Sequence, residues 1–258
     1  MTSEPNSTSP NNAPTDRSAE TRTRILDAAV REFAAHGLAG ARTERIADAA
    51  GVNKALLYYY FSSKDQMYLA AVEAIAARMR DSTLAVFTRQ ATPGERMLRM
   101  ALNHFDRIWS QPEFQSLMQQ EMMRIRKGDN AILPIIAKKA FEPMLIMYES
   151  MAREGIQGGE LIEADWMQIL FAGLGANVFY FLSAPMWKIV GNKDMLTREA
   201  LAARRKSLLE FLGQAIFRDR QHGAEAAARV FADTPMPDAE PSDPWIEKDL
   251  GIEKDLGR

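Results

Sequence analysis

A short stretch of this chain brings together side chains that could hydrogen-bond to nucleic-acid bases. Asn53 offers an amide, Lys54 an ammonium group, and Tyr58 and Tyr59 offer phenol hydroxyls. Ala55 lies among them and is small enough to permit a close approach to DNA. Amide, ammonium and hydroxyl groups are the donors and acceptors that proteins use to contact base edges and phosphates. The stretch is therefore a candidate for contact with double-stranded DNA.

Residues on both sides of this stretch have the character that phosphate contacts need. Arg42, Thr43 and Lys64 flank it, and we expect them to position the protein on the phosphate backbone. Between residues 21 and 67 there are seven basic and five acidic side chains, which leaves a net charge of +2, whereas the whole chain carries −2. The positive charge is thus local, and the overall balance argues against a protein that coats nucleic acid without sequence preference.

Two short helices joined by a tight turn would hold these side chains. We predict that they begin at the capping residues Thr43 and Asn53 and end near residues 50 and 60. Gly51 lies between them, where the turn requires a positive φ angle. With a longer helix before them, they form a helix-turn-helix, whose second helix enters the major groove. On spacing alone, a helical hairpin that does not bind DNA remains an alternative. The residues expected to face inward are Ile46, Ala47, Ala50, Leu57 and Phe61.

The residues themselves resemble the TetR family of bacterial regulators. The resemblance rests on IADAAGV, NKALLYYYF and SSK, which run together from Ile46 to Lys64, and on ILDAAVREFAAHG before them. It is specific over about residues 22–70, and one departure is Ala55, where many members carry glycine. The resemblance implies an all-α fold, with an N-terminal three-helix DNA-binding domain followed by a larger helical domain. It also implies a repressor whose larger domain dimerises and binds a small-molecule inducer.

Composition divides the chain into four segments. Residues 1–20 are rich in Ser, Thr, Pro and Asn and are predicted to be a disordered arm. We predict a DNA-binding domain over 21–67 and a ligand-binding and dimerisation domain over 68–222. Residues 234–258 contain Pro, acidic residues and a tandem IEKDLG repeat, and are predicted to be a flexible tail. The other predicted helices cover 21–35, 64–80, 94–110, 113–126, 131–154, 164–183 and 195–218.

The last two predicted helices are expected to form a homodimer interface. The helix over 164–183 is apolar on every side, as expected if one side faces its own core and the other a twin subunit. The helix over 195–218 has a single apolar stripe. The expected interface residues are Leu174, Val178, Leu201, Leu208 and Leu212.

The central helices are rich in methionine and aromatic residues, which suit an adaptable apolar pocket. We predict a small apolar or aromatic effector that weakens DNA binding through the helix over 64–80, although the same residues could simply fill the core. The predicted ligand contacts are Trp109, Met118, Met122, Met144, Tyr148, Trp166 and Phe171. Polar contacts to the effector could come from His104, Asp106, Arg107 and Glu121.

Other classes of function find little support in the sequence. The chain has no cysteine, which excludes disulfides, thiol catalysis and cysteine-based metal sites, and its three isolated histidines argue against a metal centre. It has neither a phosphate-binding glycine loop nor a nucleophile motif, so we expect neither an enzyme nor a cofactor. Residues 166–187 lack charge and could span a bilayer, which leaves a membrane-associated or ligand-independent interaction protein as the alternative. We expect a soluble cytoplasmic protein, because Gln168, Asn177 and Ser183 interrupt that segment.

Overall fold

The computed structural model describes residues 13–87, 89–126, 128 and 132–238. Over these residues the regular structure is helical, in two compact units, Met1–Ile75 and Ala76–Arg258. The helices of the first unit are α1 (Ala13–Gly40), α2 (Thr43–Ala50) and α3 (Lys54–Tyr60), and α4 (Lys64–Phe87) begins in it and ends in the second. The second unit continues with α5 (Pro93–Ser110), α6 (Pro112–Arg126), α7 (Leu133–Ile136), a π-helical turn (Ala137–Phe141), α8 (Glu142–Gln157), α9 (Trp166–Gly191), α10 (Arg198–Ile216) and α11 (Arg220–Asp233).

The first unit has a core that contains all five residues predicted to face inward. Phe33 of α1 packs edge-to-face on Tyr68 of α4, with the ring centroids 4.9 Å apart. Gly37 interrupts α1 with a φ of 66°, as expected for a glycine at the end of a helix. The fully buried side chains of this core include Ile25, Phe33, Ile46, Leu57, Met67 and Tyr68.

The predicted disordered arm is wrong for residues 13–20, because α1 begins at Ala13. Pro14 is compatible with the first turn of a helix, Arg17, Ala19 and Glu20 are good helix formers, and the Ser18 hydroxyl lies 3.1 Å from the Tyr60 hydroxyl of α3. Thr21 and Thr23 also donate their hydroxyls to carbonyl groups one turn earlier, at 2.8 and 3.0 Å. Residues 1–12 lie outside the described part of the chain.

The second unit is organised around α5, which packs against α6, α8, α9, α10 and α11. Where α10 and α11 cross, Gly213 and Gly223 bring the two backbones into direct contact. Helix α11 was not predicted, so the bundle continues beyond residue 222, and the two units divide at residue 75 rather than 67. The predicted helix over 131–154 is instead α7, a π-helical turn and α8, with Pro143 in the first turn of α8.

The first residues of the predicted flexible tail are held by two buried arginines. Arg99 donates to Thr234 Oγ1 at 3.2 Å and to Asp233 Oδ2 at 3.0 Å. Arg205 donates to the carbonyl oxygens of Thr234 and Pro235 at 3.0 and 3.2 Å. The flexible-tail prediction is therefore wrong at its beginning, while the IEKDLG repeat lies outside the described residues.

Candidate functional site

The turn between α2 and α3 has the geometry that its sequence predicts. Gly51 adopts φ 65° and ψ 38°, and its N–H donates to the Asp48 carbonyl at 3.1 Å. Val52 N donates to the Ala47 carbonyl at 3.0 Å, which satisfies a second carbonyl at the end of α2. Asn53 then caps α3, because its Oδ1 accepts a 2.7 Å hydrogen bond from Leu56 N. The predicted positive φ angle of Gly51 and the predicted helix cap by Asn53 are confirmed.

Helix α3 is held by one buried side chain and leaves its other faces open. Leu57 is fully buried, whereas Lys54 and Ala55 are exposed. Tyr59 is 79% exposed and Tyr58 is 38% exposed, so both phenol groups are accessible at the surface. The structure thus places these four predicted contact residues on the surface of one short helix.

Thr43 occupies a different position from the one predicted. It is the first residue of α2 rather than its cap, because Arg42 has the extended backbone of the N-cap and makes no side-chain capping bond. The Thr43 side chain is buried, and its hydroxyl lies 3.5 Å from the Tyr58 hydroxyl of α3. Thr43 is therefore placed to orient Tyr58, while the exposed Arg42 remains free to reach a phosphate.

Lys54 is engaged by an acidic neighbour, which the sequence did not reveal. Its Nζ donates to Glu44 Oε1 of α2, and both side chains are more than half exposed. This bond raises the pKa of Lys54 and lowers the pKa of Glu44. Lys64 makes a weaker bond, from Nζ to the Ala39 carbonyl at 3.4 Å. To bind Lys54, a phosphate would have to compete with the Glu44 carboxylate. To bind Lys64, it would have to compete only with the Ala39 carbonyl.

Arginines of α1 add positive charge to the first unit, and the sequence-based charge count included Arg22 and Arg24 but assigned neither to the site. The Arg22 guanidinium lies 5.2 Å from the centroid of the Phe61 ring. The Arg24 guanidinium approaches the Gly51 turn, since its Nη1 would be 3.9 Å from a β-carbon built on Gly51. Arg17 and Arg24 are exposed and seven residues apart, a spacing that places them on one face of α1. This seven-residue spacing is the feature of the sequence that could have assigned the two arginines to one face.

The sequence of this region matches a known family. Residues 25–71 fit the family model described as bacterial regulatory proteins, tetR family. Residues 25–71 therefore form a TetR-type domain. Its helix-turn-helix, Gly51 turn and exposed α3 are thus features of a TetR-type DNA-binding domain.

Curated relatives support the TetR assignment in the same region. The chain is 44% identical over 66 residues to the HTH-type transcriptional repressor SCO4008 of Streptomyces coelicolor, which covers 26% of this chain and 33% of that protein. It is 30% identical over 114 residues to the HTH-type transcriptional repressor NicS of Pseudomonas putida, which covers 43% of this chain and 54% of that protein. The chain therefore spans about a third to just over half of the length of these relatives.

Solved structures extend the likeness to the whole fold. The ketosteroid transcriptional regulator KstR2 of Mycobacterium tuberculosis superimposes with a TM-score of 0.58 at 20% identity, over 77% of this chain and 95% of that one. A TetR family transcription regulator from Marinobacter aquaeolei gives 0.58 at 21% identity, over 79% of this chain and 98% of that one. At these identities the likeness shows the all-α TetR fold.

The structure does not bring the predicted ligand residues into one pocket. Tyr148 alone among them lines a cavity of about 40 Å³ between α5, α8, α9 and α10. Met122 and Phe171 are exposed and lie outside this cavity, so their role as ligand contacts stays a prediction. Met122 lies near the end of α6, where burial ceases, and Phe171 lies on the outer face of α9. Trp109, Met118 and Trp166 are buried, and Met144 is partly buried.

The predicted dimer residues fall into two groups. Leu201, Leu208 and Leu212 are buried in the core of their own unit, so they cannot contact a second subunit. The reason is that α10 packs on both α5 and the unpredicted α11. Leu174 and Val178 of α9 are half-buried. The apolar side chains that are instead exposed, here called the outer α9 face, are Phe171, Phe179, Leu182 and Met186, with Phe211 of α10 exposed as well.

Proposed function

We propose that this protein is a cytoplasmic transcriptional repressor that binds an inverted-repeat DNA operator as a homodimer and leaves it when a small ligand binds. The observation that carries the proposal is α3, a short capped helix with two exposed tyrosines and an exposed lysine. Such a helix offers hydrogen-bonding groups at the surface where a recognition helix meets the major groove.

The individual side chains of α3 suggest different roles. The Asn53 oxygen is occupied by the cap, so its amide nitrogen remains to donate to a base or a phosphate. Tyr58 and Tyr59 present phenol groups that can donate or accept. Arg42 and Lys64 flank the helix, and Arg24 approaches the turn, so these cations are suited to positioning on phosphates.

The DNA-binding proposal predicts a twofold-symmetric footprint on the DNA that flanks the gene for this protein. Lys64→Ala should weaken binding on all sequences and reduce the salt dependence by about one unit, since one phosphate contact is lost. Glu44→Gln should tighten binding by about 2- to 5-fold, because Lys54 loses an exposed competing partner. The measurement is quantitative footprinting at several salt concentrations.

The control is Glu149→Gln, which removes an exposed carboxylate from α8 in the other unit and should leave DNA affinity unchanged. Protection of a single unrepeated site, or a Lys64→Ala protein with unchanged affinity and salt dependence, would refute the proposed footprint.

The outer α9 face supports a homodimer. Among the described residues α9 is the one helix long and apolar enough to cross a membrane, by length and composition. It packs against α5, and Asn177 donates its Nδ2 to the Ala101 carbonyl at 3.0 Å, so one side of it is committed to the protein core. Its other side exposes Phe171, Phe179 and Leu182, a continuous apolar stripe that a second copy of the same face would cover.

Phe179→Asp should convert the dimer to a monomer without unfolding it. Phe179 is 62% exposed, so the carboxylate is solvated in the monomer but would be buried and unpaired in the interface. Sedimentation velocity measures the association, and operator binding should fall together with the dimer. Ile146→Asp is the matched control, because Ile146 is equally exposed on α8. A Phe179→Asp protein that remains dimeric would exclude this face.

The effector part of the proposal rests on the second unit. The cavity near Tyr148 has room for only two or three water molecules, so an effector bound there must enlarge it. Because α4 runs from the DNA-binding unit into the second unit, a ligand that shifts its last turns can alter DNA binding. A ligand can shift the equilibrium between the arrangement that binds DNA and the one that does not only if it binds the two with different affinities. The usual coupling between two such sites would weaken DNA binding by about 5- to 150-fold.

A further inference from the structure

Arg107 of α5 is a buried cation without a carboxylate partner among the described residues. It is 7% exposed, and its Nη1 donates to Ser82 Oγ at 3.3 Å and Thr83 Oγ1 at 3.5 Å. Its guanidinium carbon lies 5.5 Å from the centroid of the Phe114 ring. Its Nε is sealed from solvent and has no hydrogen-bond partner. The side chains that contact Arg107 through hydrogen bonds or its guanidinium face are therefore two neutral hydroxyls and an aromatic ring.

In the described part of this unit, the other two buried arginines are each paired with an acid. Arg205 bonds to Asp106 through both Nε and Nη2, at 2.8 and 3.0 Å. Arg99 bonds to Asp233 at 3.0 Å. In Arg205 the edge formed by Nε and Nη2 makes a bidentate bond to a carboxylate. Among the described residues, Arg107 is the buried arginine in which the same edge makes no bond to a carboxylate.

A purely structural role does not account for this charge. The Ser82 and Thr83 hydroxyls each donate to the Met79 carbonyl at 2.9 Å, so neither hydroxyl depends on Arg107 for a partner. Burial lowers the pKa of Arg107 to about 10, which leaves the guanidinium charged at neutral pH. Burial and the Arg107 charge lower the pKa of the nearby His104 to about 3, so the histidine is neutral. A buried and unpaired charge is costly.

We infer that Arg107 anchors the acidic group of the effector, which is an organic acid with an apolar body and one carboxylate. The carboxylate pairs with the vacant Nε–Nη2 edge, in the bidentate geometry that Asp106 and Arg205 display. The apolar body lies along α6, where Phe114 and Met118 are one turn apart. Because Nε is sealed, the acid must displace neighbouring side chains, and those on α4 include Ser82 and Thr83. This inference rests on the proposed ligand response.

The test compares acids with their neutral amides on the full-length protein. Monocarboxylates from acetate to decanoate, with benzoate and phenylacetate, are each paired with the corresponding primary amide. Thermal stabilisation and release of operator DNA are measured for the wild type, Arg107→Met and Arg107→Lys. Arg204→Met is the matched control, because the Arg204 guanidinium also lies 5.5 Å from an aromatic ring centroid, that of Tyr180, but is partly exposed.

The wild type and Arg204→Met should bind at least one acid roughly 10- to 100-fold more tightly than its amide, since a charge-assisted bond is lost in the amide. Arg107→Met should lose this difference, melt at or above the wild-type temperature without ligand, and bind operator DNA normally. Arg107→Lys should keep part of the preference. The inference is overturned if acids and amides act alike across the panel, or if Arg107→Met alone fails to fold. Absence of operator binding by the wild type would instead refute the proposed function.

Discussion

Replacing Asp106 with alanine is expected to lower the free energy of unfolding by about 3–5 kcal/mol, the usual cost of removing one partner from a buried ion pair. Asp106 accepts both hydrogen bonds from Arg205, and Arg205 is 2% exposed. Without the carboxylate, Arg205 retains only the carbonyl groups of Thr234 and Pro235. Two neutral acceptors do not compensate a buried guanidinium. Urea unfolding measures the loss.

The double replacement Asp106→Leu with Arg205→Met is the informative control. Burial raises the pKa of Asp106 in spite of the hydrogen bonds and charge of Arg205, which indicates that desolvation outweighs the attraction. Two apolar side chains should therefore restore most of the stability that Asp106→Ala loses. A double variant as unstable as the single one would mean that the pair itself stabilises the unit.

Gly223→Ala is expected to destabilise the second unit by about 3 kcal/mol or more, at the upper end of the cost of overpacking. A β-carbon on Gly223 would overlap the carbonyl oxygen of Gly213 and lie 2.9 Å from its carbonyl carbon. The obstacle is backbone, which no rotamer change can move aside. Helices α10 and α11 would have to separate, and both contribute buried residues to the same core. Thermal and urea unfolding report the change.

Gly191→Ala is the control for helix propensity. Gly191 ends α9, and a β-carbon added to it would lie 4.0 Å from its nearest neighbour, Lys193 Cγ. Alanine in an open helical position is neutral or stabilising by up to about 1 kcal/mol. If Gly223→Ala were as stable as Gly191→Ala, the close crossing of α10 and α11 would not exist in solution.

The DNA-binding unit was predictable because its signals are local. Gly51 requires a positive φ angle, Asn53 is a capping residue, and Leu57 lies four residues before Phe61 on the buried face of α3. Each of these acts within one or two helical turns, so the sequence alone contains the information. The ion pair between Glu44 and Lys54 joins two helices across the turn. It could not be predicted from the sequence, because the two residues are ten positions apart and no local pattern relates them.

The second unit was less predictable because its contacts are distant in sequence. An apolar stripe shows that Leu208 is buried but not by what, and the structure places it in the core of its own unit. Helix α11 escaped prediction because three of its four buried residues, Gly223, Ala226 and Ala227, are small. Such small residues produce a weak apolar pattern. The outer α9 face, with Phe179 exposed, could not be separated from the inner face by composition alone.

The two buried arginines that hold the segment after α11 also have a consequence for the order of events during synthesis. Asp233 bonds to Arg99, which lies more than a hundred residues earlier in the chain. Thr234 and Pro235 bond to Arg205, which lies about thirty residues earlier. The second unit therefore cannot complete its core until the ribosome has translated Pro235, whereas the contacts of the first unit close within Met1–Ile75. Since domains fold as units as they emerge, the nascent chain completes its first unit before its second.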